Sequence, residues 1–121
     1  ADKDGTLFYV NPASIKGDKN SFKVLVQCNP PKGSKTLDSA EQILTAYRQV
    51  YKGLDYTRQL WRMFPSRDYF HTTHFIAYNR EGGLISTIEF NPPVEQPIVK
   101  GSIEKKILDF VYERWKKKFF A

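Results

Sequence analysis

Thiol or imidazole chemistry in this chain would have to come from three side chains, because Cys28 is its one cysteine and His71 and His74 are its two histidines. A cysteine thiolate beside an imidazole base is a nucleophile suited to hydrolysis, but the pair has to be brought together by folding, and no local signature surrounds it here. Cys28 shares the period-two pattern of Phe22, Val24 and Val26, so its own neighbourhood reads as a buried thiol packing like a small hydrophobe. The run His71-Thr72-Thr73-His74 would make a metal pair on a helix, where residues three apart share a face. In a strand the same spacing sends the two rings to opposite faces, and this segment reads as a strand. No cysteine or carboxylate stands close in sequence to complete a coordination shell. No metal or cofactor is therefore expected, and no catalytic residue is assigned.

Acid–base hydrolysis needs two converging carboxylates, whereas Asp55, Asp68, Glu81, Glu89 and Asp109 are scattered over turns and polar faces with no pairing pattern. Gly82-Gly83 lies between two strand-like runs rather than at the start of a helix, so it does not form a phosphate-cradling loop. The basic and aromatic run Arg58-Gln59-Leu60-Trp61-Arg62, with Tyr56 before it, is the best argument for nucleic-acid binding, since strand aromatics can stack bases. The aromatic-rich consensus strand of the RNA-recognition fold is absent, and the same alternation also serves as core beneath a helix. If binding is the role, Trp61, Arg62 and Arg67 are the candidate residues, on a sheet edge or its turn, because Arg and aromatics dominate binding hot spots. The structural alternative puts Trp61 under a helix.

Nineteen Lys and Arg against thirteen Asp and Glu leave a formal charge of +6 in 121 residues, which favours anionic partners. The cations are dispersed. Only Lys116-Lys117-Lys118 form a dense run, and cations at a helix end also complement the macrodipole. The length fits one domain with one core, and the hydrophobic fraction of 40% is enough to fold without disulfides or metals. No apolar run exceeds four residues, the length of Leu7-Phe8-Tyr9-Val10, far short of the roughly 20 residues that span a bilayer as a helix. The chain opens Ala1-Asp2-Lys3 without Met, as it would after removal of a signal segment, so an extracytoplasmic location is expected.

The elements that must position these residues can be read from periodicity. Residues 6–10 are aromatic and β-branched and stop at Asn11-Pro12, and residues 21–28 alternate and stop at Asn29-Pro30-Pro31, giving two strands of a hairpin. Ala40, Ile43, Leu44, Tyr47, Val50, Tyr51 and Leu54 fall at helical spacing, which predicts a helix over 39–54, with Ser39 and Gln42 as a capping box and Gly53 as its C-terminal cap. Strands follow over 56–64 and 70–78, joined through Pro65-Ser66-Arg67-Asp68. A turn at Arg80-Glu81-Gly82-Gly83 leads into a strand over 84–90, which Asn91-Pro92-Pro93 is expected to end. From Ser102 the stripe Ile103, Ile107, Leu108, Val111, Tyr112 and Trp115 predicts an amphipathic helix. The fold expected is α+β: an antiparallel meander sheet of about five strands packed by the C-terminal helix, with one additional helix inserted after the second strand.

Three stretches together resemble the bacterial surface-adhesin protein E family: Phe8-Tyr9-Val10-Asn11-Pro12-Ala13-Ser14-Ile15, the hairpin over 69–86 with its Tyr78-Asn79-Arg80-Glu81-Gly82 turn, and Gln96-Pro97-Ile98-Val99-Lys100-Gly101-Ser102 entering the last helix. Cysteines that the family often carries after its third strand and in its last helix are replaced here by Ser66-Arg67-Asp68 and Tyr112-Glu113. The helix over 39–54 resembles an insertion relative to shorter members. The resemblance implies an exported, non-catalytic envelope or surface-binding domain whose partner is a host or envelope protein or an anionic surface. A cytoplasmic nucleic-acid-binding domain and a small Cys/His hydrolase are the rival readings.

Overall fold

A computed structural model of the chain describes residues 3–49, 52–65 and 67–120. Six strands form one antiparallel sheet: β1 (Leu7–Val10), β2 (Lys16–Gly17), β3 (Phe22–Asn29), β4 (Leu54–Met63), β5 (Tyr69–Asn79) and β6 (Leu84–Pro97). Two helices complete the fold, α1 (Lys35–Ala46) between β3 and β4 and α2 (Ile103–Phe120) at the end. The strand order is β1-β3-β4-β5-β6, with the two-residue β2 also pairing with β3. Every strand from β3 onward lies beside its sequence neighbour, as the meander predicts. β1 and β2 share the outer edge of β3 because a 3-10 turn at Pro12–Ser14 interrupts them. There the Leu25 N–H, deprived of a strand partner, donates to Ser14 Oγ at 3.1 Å.

Alternation decides which side of the sheet is covered. Phe22, Val24, Val26 and Cys28 are all buried and pack with Ile107, Leu108, Val111 and Trp115 of α2. At the other end of the sheet Phe75 and Ala77 of β5 and Ile88 and Phe90 of β6 pack with Ala40 and Leu44 of α1. Each buried Val, Leu, Ile or Phe among them contributes about 1.5–3 kcal/mol when removed from water. Trp115 ties α2 down further: its ring stacks on Phe22 with centroids 5.1 Å apart, and its indole N–H donates to the Asp18 carbonyl at 2.8 Å. Both helices lie on this one face, and no helix covers the other among the described residues. None of the described helices is long and apolar enough to cross a membrane.

Two boundaries differ from the sequence reading. α1 begins four residues earlier than the expected 39, because Ser34 rather than Ser39 is the N-cap, its Oγ accepting from the Leu37 N–H at 3.1 Å. The helix ends at Ala46, where Arg48 takes φ 57° and the Arg48 and Gln49 N–H groups return to the carbonyls of Thr45 and Leu44. This is a Schellman ending with Arg where glycine is usual, which is why no stop signal showed in the residue types. Leu54 consequently opens β4, and Val50 and Tyr51 of the expected stripe lie outside the described residues.

The second correction is at Asn91-Pro92-Pro93, which does not stop β6. The strand runs on to Pro97, and its pairing with β5 jumps from His74↔Glu89 to Thr72↔Val94 across an extended bulge that holds a cis Asn91–Pro92 bond. β6 is the sheet's edge, so residues that cannot donate to a ladder are tolerated within the bulge.

Candidate functional site

The sheet separates the residues that a thiol hydrolase would need. Cys28 points into the core at 2% exposure, and burial pushes its thiol up to about 12, against the nucleophilic thiolate form. His71 and His74 stand on the opposite, uncovered face. Strand alternation alone would have divided the two histidines, but a register shift between Thr72 and His74 flips the parity and brings both to that face. Each faces a glutamate on β6: His71 Nε2 lies 3.7 Å from Glu95, and His74 Nε2 lies 3.4 Å from Glu89. These remain separate pairs, and no cluster of three or more His, Cys, Asp or Glu suited to a metal ion occurs among the described residues.

The three binding candidates are not brought together. Trp61 is a core residue at 3% exposure, tilted against Phe70 at 4.7 Å, with its indole N–H donating to Gln59 Oε1 at 2.9 Å. Arg62, its neighbour on β4, projects to the opposite face, where its guanidinium donates to Ser21 Oγ at 2.6 Å. Arg67 is exposed in the β4–β5 turn, its N–H bonded to the Phe64 carbonyl.

Register then assembles residues on the uncovered face that no sequence spacing links. Lys16 pairs with Lys23, Lys23 with Arg62 and Arg62 with His71, so three permanent cations stand side by side across β2, β3 and β4, with an imidazole continuing the row. Like charges directly opposite one another are unfavourable. The neighbouring carboxylate is Asp18, held below the usual range by the N–H groups of Asn20 and Ser21, with the Arg62 charge adding to the effect. Four residues away along β4, on the same face, Arg58 donates to Gln27 Oε1 at 3.1 Å and lies 5.0 Å from the ring centre of Tyr78. Tyr78 stacks on Tyr56 with centroids 4.9 Å apart. Parity had placed Tyr56, Arg58 and Arg62 on one strand face. Lys16, Lys23 and His71 became visible only once the strands were in register.

The covered face carries a cleft. Between α1 and α2 a cleft of about 390 Å³ opens onto β4, β5 and β6. Trp61, Phe75 and Phe90 contribute its sheet side, Ile43 comes from α1 and Tyr47 from its C-cap, and Glu104 comes from the first turn of α2. Thr36 lines it beside Asp4, whose carboxylate accepts from the Thr36 hydroxyl at 2.6 Å, the Thr6 hydroxyl at 2.6 Å and the N–H groups of both residues at 3.0 Å. Those donors, the Thr36 hydroxyl foremost, hold Asp4 well below the ordinary carboxylate range. No family model matches the chain, and neither a curated protein nor a solved structure shows significant similarity to it.

Proposed function

We propose that this chain is a non-catalytic binding domain that acts outside the cytoplasm and docks an acidic protein surface against the uncovered face of its sheet. The observation that carries the reading is the row Lys16, Lys23 and Arg62, set opposite one another by strand register. Such a row is electrostatically unfavourable in the free protein, and a complementary carboxylate-rich surface relieves that repulsion while steering encounter. Arg62, Arg58 and the adjoining tyrosines supply the residue types that carry binding energy at protein interfaces. The motifs resembling the protein E adhesins support the export and the surface role. The hidden thiol of Cys28, on the far side of the sheet from both histidines, favours binding over thiol hydrolysis.

Tyr56, Tyr78 and Arg58 on this same face favour a second reading, single-stranded nucleic acid. The two tyrosines already give one ring face each to the other, which leaves less of them to stack bases. Both readings are tested by titrating the protein with poly-glutamate and with single-stranded DNA of equal charge over a range of salt. Docking of an acidic protein predicts salt-sensitive binding to poly-glutamate that weakens by about tenfold or more in a Lys23→Glu, Arg62→Glu double variant. Equal affinity of wild type and variant for poly-glutamate overturns the proposal, and preferential binding of the DNA replaces it with the second reading. Fractionation of producing cells checks location, and protein found only in the cytoplasm removes the export half.

A further inference from the structure

The chain carries nineteen Lys and Arg residues, yet none of them is among the residues lining the cleft between α1 and α2. Among the described residues its one charged lining residue is Glu104. Among the described residues no ion pair to that carboxylate occurs, and Lys100 and Lys106 stand on its outer side. Glu104 stands close enough to the cleft floor for its charge to add to the upward push that burial exerts on Cys28. Around it the lining is mostly apolar, with Phe8, Tyr47, Trp61, Phe75 and Phe90 contributing rings.

Two amides in the cleft have their hydrogen bonding half used. Gln59 accepts the Trp61 indole N–H through Oε1, so its NH₂ group is left as a donor. Gln96 donates through Nε2 to Thr72 Oγ1 at 2.7 Å, so its own carbonyl is left as an acceptor. A concavity of this size, apolar over most of its lining and with a few convergent polar groups, has the composition of small-molecule sites. Aromatic faces and a carboxylate both favour a cation, and the carboxylate disfavours acyl anions such as fatty acids.

We propose that this cleft binds a small amphipathic amine, with its apolar body between the aromatic walls and its protonated nitrogen at Glu104. The site is on the opposite side of the sheet from the cationic row, so the two binding functions are independent. The ligand class follows from the cleft's own lining, where Glu104 is the charged group among the described residues and the lysines near it stand on its outer side.

Three probes of matched shape test this on isotope-labelled protein by NMR titration: phenethylamine, phenethyl alcohol and hydrocinnamate. The expected result is saturable shifts for phenethylamine confined to the backbone near Gln59, Thr72, Phe75 and Glu104. The alcohol should bind about tenfold more weakly and hydrocinnamate more weakly still, since a charge-assisted hydrogen bond is worth about one factor of ten or more. Glu104→Gln should lower the affinity for the amine to that of the alcohol and leave the alcohol's own affinity unchanged. Val94→Trp, which fills the edge of the cleft from β6, should weaken both. The proposal is overturned if the amine and the alcohol bind alike, if Glu104→Gln changes nothing, or if no saturable shifts appear at these residues.

Discussion

Replacing Trp115 by alanine probes the contact that holds α2 on the sheet. The side chain is 2% exposed, stacks on Phe22 at 5.1 Å and donates its indole N–H to the Asp18 carbonyl at 2.8 Å. Truncating a buried Trp to Ala costs about 3–5 kcal/mol through lost transfer energy and the cavity left behind. The stacked pair adds roughly 0.5–1.5 kcal/mol beyond area, and the orphaned carbonyl about 1 kcal/mol where water cannot reach it. A total of about 5–7 kcal/mol is a third or more of the roughly 5–15 kcal/mol that keeps a domain folded. In urea, with a slope of about 1.5 kcal/mol/M, the midpoint should fall by about 3–5 M. Trp115→Phe separates the contributions: it keeps a stacking ring but removes the donor, and should cost only about 1–2 kcal/mol. If Trp115→Ala shifts the midpoint no more than a surface substitution does, α2 is not docked as described. The buried cluster under β3 and the boundary of the cleft would fall with it.

Three further outcomes test separate parts of the reasoning. Cys28 should react with a disulfide reagent at neutral pH far more slowly than a free thiol and reach full reactivity only on unfolding, because burial raises its pKa to about 12; fast labelling of the native protein would contradict its placement. Asp4 joins the start of β1 to the start of α1, and its folded pKa is depressed. The stability it contributes is therefore fully present above its ordinary value of 3.8 and is lost as pH falls from there toward the lower folded value. Asp4→Asn should remove that part of the acid dependence in melts taken between pH 5 and pH 2, and unchanged acid melts would show that the carboxylate is not held by Thr6 and Thr36. Arg48→Gly should raise stability by about 0.5–1 kcal/mol, since Arg48 sits at φ 57° where side chains are strained; a loss of stability would show that the arginine makes a contact worth more than the strain.

The periodic parts of the fold were readable in advance. The alternation of Phe22, Val24, Val26 and Cys28, the stripe Ile107, Leu108, Val111 and Trp115, and the hairpin glycines each express a repeat or a backbone freedom contained within a few residues. The breaks were harder to read. Ser34 caps α1 without a capping-box partner, Arg48 ends it in a conformation usually given to glycine, and Asn91-Pro92-Pro93 lies within a strand because that strand is an edge and bulges there. Each of these depends on what the neighbouring chain leaves unpaired, which residue types alone do not record.

The same division runs through the candidate sites. Residue types and parity were sufficient to make Cys28 a core thiol and to count an excess of positive charge, whereas Trp61 and Arg62, grouped in the sequence as one binding set, are divided between the two faces of the sheet. Strand register set Lys16 and Lys23 beside Arg62, a bulge of one residue brought His71 and His74 onto one face, and the distance between two helices opened an aromatic cleft with Glu104 as its charged residue. Local repeats act over a few ångströms of continuous chain. Pairing between strands, and the separation of elements packed on a sheet, are set by the best simultaneous burial of all the apolar faces, and no single segment contains that information.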